Sequence, residues 1–164
     1  MKKRQHGSEL SHVGSSGEAS MVDVSEKSLT DRVARARGSI RMAKGTLAAI
    51  QANSVKKGDV LAVARVAGIL AAKRTPDLIP LCHPIPLTDV QIALTPDPAL
   101  PGIIAEATAR ATWKTGVEME ALTAVTVSLL TVYDMVKSLD REIELDDISL
   151  LQKSGGKLGN WSRG

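Results

Sequence analysis

The chain has 164 residues, 43% of them hydrophobic, which suits a single domain with a sizeable core. Its net charge of +3 is mildly basic and suits an anionic small ligand as well as nucleic acid, so it selects neither. Aromatics make up only 2% and Phe is absent, which excludes an aromatic core and leaves little surface for stacking bases.

Residues 1–20 open with the basic stretch Met1-Lys-Lys-Arg4, but no apolar run of the kind a signal peptide needs follows it. Their Ser- and Gly-rich composition predicts a disordered N-terminal arm ahead of one domain over 21–164. From Arg32 to Met42, Arg35, Arg37 and Ser39 alternate with Ala34, Ala36 and Ile40, which favours a strand. Lys44 to Ala52 is a short helix candidate. A longer helix begins at Gly58-Asp59 and runs to Lys73-Arg74, acidic at its positive end and basic at its negative end, with Pro76 as its stop. Pro80, Pro84 and Pro86 make residues 79–87 an extended loop. Cys82 lies within it as the only cysteine, so neither an intramolecular disulfide nor a multi-cysteine zinc site can form. A reducing cytoplasm is the compartment this leads us to expect.

Thr88 to Leu94 alternates as a strand, and residues 103–114 give the cleanest strand pattern of all. There Ile103, Ala105, Ala107, Ala109, Ala111 and Trp113 share one face, with Glu106, Thr108, Arg110, Thr112 and Lys114 on the other. A long helix is predicted over 117–139. It carries no charge between Ala121 and Tyr133, so it belongs in a core or an oligomer interface rather than on a surface. Thr and Ser residues break its apolar run, and no stretch has the length and flanks of a membrane span. Ile148 to Leu151 reads as a last strand before the Gly-rich tail Lys153-Ser-Gly-Gly-Lys157. Neighbouring strands with two or three helices and no βαβαβ repeat define an α+β fold, an antiparallel sheet backed by helices.

Charges at the ends of the long helix draw attention first. Asp134 and Lys137 share a helical face, as an ordinary surface pair would, worth roughly 0.2–0.5 kcal/mol. In a partly dry cleft the same pair could move a proton near neutral pH. Glu118 and Glu120 would simply favour the helix N-terminus, and only an extended stretch would turn both toward one pocket. Cys82 reads as a small buried apolar residue, whereas His83 beside it reads as a ligand contact. Arg32, Lys56, Lys57, Lys73, Arg74, Lys153 and Lys157 sit at element boundaries, where they could converge on phosphates. The tail fails the phosphate-loop pattern, because Leu151 replaces its first Gly and Leu158 follows Lys157.

Together these segments resemble the cyclic pyranopterin monophosphate synthase family of molybdenum cofactor biosynthesis. The resemblance runs from Gly17 to Gly159. It includes Lys57-Gly-Asp59, Ala71-Ala-Lys-Arg-Thr75, Asp77-Leu-Ile-Pro-Leu-Cys-His-Pro84, Thr115-Gly-Val-Glu-Met-Glu-Ala121 and Tyr133-Asp-Met135. It implies a ferredoxin-like fold and a homohexamer built as a trimer of dimers. The implied lyase acts on 3′,8-cyclo-7,8-dihydro-GTP and releases diphosphate. Asp134, Lys137 and Lys57 are the implied catalytic residues. Leu81, Cys82, His83, Met119 and Glu120 are the implied substrate contacts, with Arg32 and Lys153. We add Glu118 to the groups that position the purine and sugar, and Lys73 and Arg74 to those that meet the phosphates. No cofactor, resident metal, nucleic acid or membrane enters this expectation. Ser20, Val136, Ser138 and Leu158 depart from residues common in the family, and none of them holds an acid–base role.

Two rivals come from other classes. An RNA-binding sheet would use Arg110 and Lys114, but the aromatic platforms such sheets offer to bases are scarce here. A metal hydrolase would use His83 with the two glutamates.

Overall fold

The computed structural model describes residues 18–156 and 159–164. Most of the expected N-terminal arm, together with Lys157 and Leu158, lies outside these residues. The described part of the arm includes Ala19, which forms an isolated β-bridge.

Five strands form one antiparallel sheet in the order β2-β3-β1-β4-β5. The central strand β1 (Thr30–Arg41) pairs with β3 (Gly102–Trp113) on one side and β4 (Glu144–Ser154) on the other. Strand β2 (Asp89–Asp97) closes the β3 edge, and the two-residue β5 (Trp161–Ser162) closes the β4 edge. The helices are α1 (Lys44–Gln51), α2 (Val60–Lys73), the single turn α3 (Thr75–Leu78) and α4 (Glu118–Val136). The expected α+β, ferredoxin-like sheet backed by helices is what forms. Alternation decides its inner face: Ala34, Ala36 and Ile40 of β1 and Ile103, Ala105, Ala107, Ala109 and Ala111 of β3 are buried.

Three elements differ from the sequence reading. Pro76 does not merely stop α2; it opens α3 at the first helical positions, where its missing N–H costs nothing. Strand β2 runs on through Pro96, which an edge strand tolerates because one side of its backbone has no partner to satisfy. Strand β4 is far longer than 148–151, and it is followed by β5. Two register shifts against β1, with Asp147 at φ 54°, break the alternation that would have revealed it.

Helix α4 lies on the sheet with Ala121, Ala124, Val125, Leu129 and Val132 fully buried. By length and hydropathy alone it could cross a membrane, yet 56% of its most apolar window is buried inside this domain. It is the core helix. Helix α2 packs antiparallel to it, since Ser128 Oγ donates to the Ala64 carbonyl at 3.1 Å while Gly68 faces Ala124. A Cβ on Gly68 would overlap Ser128 Oγ and stand 2.6 Å from Ile92 Cδ1. The Gly68→Ala variant is therefore expected to lose about 1–3 kcal/mol of stability, the usual range for overpacking a close contact, as read from the urea midpoint.

Candidate active site

The antiparallel pairing of α2 and α4 sorts the predicted site residues into two groups. At the C-terminal end of α4, Asp134 sits between two ammonium groups. Lys137 Nζ donates to its Oδ1 at 2.7 Å and Lys57 Nζ to its Oδ2 at 3.0 Å. Lys57 also donates to the Asp134 carbonyl at 2.7 Å, which fixes its ammonium against the helix end. Lys57 reaches this point because α2 begins here, capped by the Asp59 side chain, which accepts from Ala62 N.

These charges shape one another. The hydrogen bond from Lys137, then that from Lys57, holds the Asp134 carboxyl below its ordinary range. Reciprocally, the hydrogen bond to Asp134 raises the Lys137 pKa. All three side chains are about half exposed, so within one chain the dry cleft expected around Asp134 and Lys137 is not formed.

The second group gathers at the N-terminal end of α4. Lys153, on the last turnless stretch of β4 rather than on a tail, pairs with Glu118 at 3.1 Å. Arg32 is held by the corner that follows β3: its Nε donates to the Trp113 carbonyl at 3.1 Å and its Nη2 to the Lys114 carbonyl at 3.2 Å. Arg32, Lys153, Glu118 and Lys114 line a cavity of about 780 Å³, and Asp23, Glu26, Lys27, Ser28 and the glycines Gly155 and Gly156 also border it. Lys27 was not singled out from the sequence. Lys114 was read as an outward strand charge of the kind an RNA-binding sheet would use, whereas its ammonium turns back to the Ser25 carbonyl at 2.7 Å.

The 79–87 loop is at this same end. His83 Nε2 lies 2.8 Å from the Val22 carbonyl, an acceptor, so Nε2 carries the proton. Leu81, Cys82 and His83 are all partly buried, and Met119 is partly exposed. Burial, and then the neighbouring Glu120 charge, push the Cys82 thiol up, which opposes a nucleophilic thiolate. Lys73 and Arg74 end α2 on this side with exposed side chains, and neither borders the cavity.

Glu120 is only 2% exposed, and its Oε2 is buried without a hydrogen-bond partner among the described residues. Burial first, and then the nearby Glu118, raise its pKa to about 7. In the unfolded chain this carboxyl ionises near 4.5. From that pH up to about 7 only the unfolded chain gives up the proton, so stability falls as pH rises and then levels off. The Glu120→Gln variant lacks this slope. Relative to the parent it is expected to gain on the order of 1–3 kcal/mol between pH 5 and pH 8, measured by urea unfolding at both.

The open face of the sheet carries Arg35 paired with Glu106 at 3.0 Å and Arg110 near Asp89 at 3.8 Å. Such self-paired charges have little left for a nucleic-acid backbone. Among the described residues, no group of three His, Cys, Asp or Glu side chains is arranged to hold a metal ion.

A ferredoxin-like α+β domain whose core helix carries a Lys–Asp–Lys cluster at one end and an arginine- and lysine-lined cavity at the other belongs to the class of small-molecule enzymes that handle anionic substrates. The sequence profile of the MoaC family matches residues 21–156. The chain is 59% identical over 152 residues to the cyclic pyranopterin monophosphate synthase of Dinoroseobacter shibae, covering 93% of this chain and 96% of that protein. Proteins of the same name from Rhodospirillum rubrum and a Nostoc species are 57% and 52% identical, covering 92% and 94% of their own lengths. This chain belongs to the MoaC family.

Proposed function

We propose that the chain is a lyase of molybdenum cofactor biosynthesis that converts 3′,8-cyclo-7,8-dihydro-GTP to cyclic pyranopterin monophosphate with release of diphosphate. Near-full-length identity to proteins of that name carries this reading. The cluster of Lys57, Asp134 and Lys137 supports it in chemical terms.

Opening the purine-derived imidazole carbon, building the pyran ring and closing the cyclic phosphate all move protons. Lys137 and Lys57 exchange those protons with the substrate, and Asp134 orients both ammonium groups. Arg32 and Lys153 hold the triphosphate, with Lys73 and Arg74 adding positive charge at the same end of α4. Leu81, Cys82, His83, Met119, Glu118 and Glu120 position the base and sugar.

The two groups of residues lie too far apart to share one substrate. Glu118 and Asp134 are separated along α4 by roughly 24 Å at the helical rise per residue. A complete site therefore takes the Lys57–Asp134–Lys137 cluster from one subunit and the Arg32–Lys153 cavity from another. An apolar stripe on the outer side of α2, formed by Val63, Val66 and Leu70 at 43–57% exposure, supports homo-oligomerisation, and we favour a trimer of dimers in the cytoplasm.

Incubation of the purified protein with the cyclised nucleotide, followed by assay of pterin product and diphosphate, tests the function. Absence of both products from folded protein rejects it. Light scattering tests the assembly, and a particle of monomer mass at micromolar concentration rejects that part.

A further inference from the structure

The Gly-rich turn after β4 fails the phosphate-loop pattern but has a different task. Pairing of β4 with β1 places Ser154 opposite Val33, so the next two residues come down directly on Asp31 and Arg32. Both have left-handed backbones, Gly155 at φ 92° and Gly156 at φ 81°. A Cβ on Gly155 would overlap the Asp31 carbonyl oxygen and stand 3.2 Å from Arg32 Cδ. A Cβ on Gly156 would overlap Arg32 Nη1 itself and stand 3.0 Å from Cζ. On its other edge the same guanidinium is fixed by the Trp113 and Lys114 carbonyls. Arg32 is thus enclosed between a strand corner and two glycines, beside the cavity it lines.

We infer that Gly155 and Gly156 are positioning residues for Arg32: they form a seat that only hydrogen side chains leave open, and the turn acts on the ligand's phosphates through the arginine. This rests on the reading of Arg32 as a phosphate ligand. Locking the guanidinium in advance limits the entropy lost when it meets phosphate oxygens, and leaves Nη1 as the edge without a protein partner among the described residues.

Gly159 supplies the control. It has φ 62°, also left-handed, but a Cβ there meets nothing within 4 Å among the described residues. Asn tolerates such backbones better than other non-glycine residues, so Gly156→Asn and Gly159→Asn carry similar strain but only the former obstructs Arg32. Titration calorimetry of the full chain with inorganic tripolyphosphate is the first measurement. Gly156→Asn should weaken binding at least about tenfold, the size of one charge-assisted hydrogen bond, while Gly159→Asn stays within about twofold. In the Arg32→Ala background Gly156→Asn should add nothing. Equal losses at 156 and 159, or losses that multiply with Arg32→Ala, overturn the inference.

Hydrogen exchange of the Arg32 Nε–H, followed by NMR, decides the matter without a ligand. Faster exchange in Gly156→Asn alone supports the seat, and unchanged exchange overturns it. If Arg32→Ala binds tripolyphosphate as tightly as the parent, the phosphate reading of Arg32 fails, whatever the exchange result says of the seat.

Discussion

Replacing Lys137 with Ala is expected to lower kcat by about 10²–10⁴, the usual loss when one general acid or base is removed, with little change in stability. The small structural effect follows from exposure: the Lys137 side chain is 55% exposed, and its ion pair with Asp134 is solvated. Lys57→Ala is expected to fall in the same range, because Lys57 holds the opposite oxygen of the same carboxylate. Asp134→Asn keeps the shape of the cluster but removes the charge that both ammonium groups face. It should also shift the basic limb of the pH profile to lower pH, since the hydrogen bond to Asp134 is what raises the Lys137 pKa. Steady-state assays of pterin formation across pH, alongside circular dichroism of each variant, check this. Near-parental turnover in both Lys137→Ala and Asp134→Asn would remove the cluster from the chemistry.

Regular patterning made much of this visible in advance. Unbroken alternation from Ile103 to Trp113 gave β3 its face, and that face is the buried one. The charge-free stretch between Ala121 and Tyr133 marked α4 for a core or an oligomer interface, it lies in the core, and Asp134 and Lys137 at i, i+3 do meet. What escaped has physical causes. The alternation of β4 is broken by bulges, so Lys153 read as part of a tail when it is strand, fixed by Glu118. The Lys57–Asp134 contact joins residues far apart in sequence, and only the antiparallel docking of α2 on α4 creates it. Lys114 looked like one more outward strand charge, yet the chain turns right after Trp113 and sends its ammonium to the Ser25 carbonyl. The placement of charges at both ends of α4 was legible from spacing, but residue spacing could not say that Lys57 joins one end and that Arg32 and Lys153 lie at the other.

Mixing two inactive variants is expected to restore activity. Lys137→Ala disables the cluster at the C-terminal end of α4 and Arg32→Ala the cavity at its N-terminal end, roughly 24 Å away along the helix. If each site draws these ends from two different subunits, a mixed pair holds one site carrying both substitutions and one carrying neither. Random reassembly of equal amounts should then recover about a quarter of parental activity, from a background at least about a hundredfold lower. Each variant alone, taken through the same dissociation and reassembly, must stay inactive. Recovery near zero, with exchange of subunits verified by mass, would mean that one chain supplies its whole site. The Lys57–Asp134–Lys137 cluster and the Arg32–Lys153 cavity would then have to act on different molecules, because no single helix end presents both sets of groups.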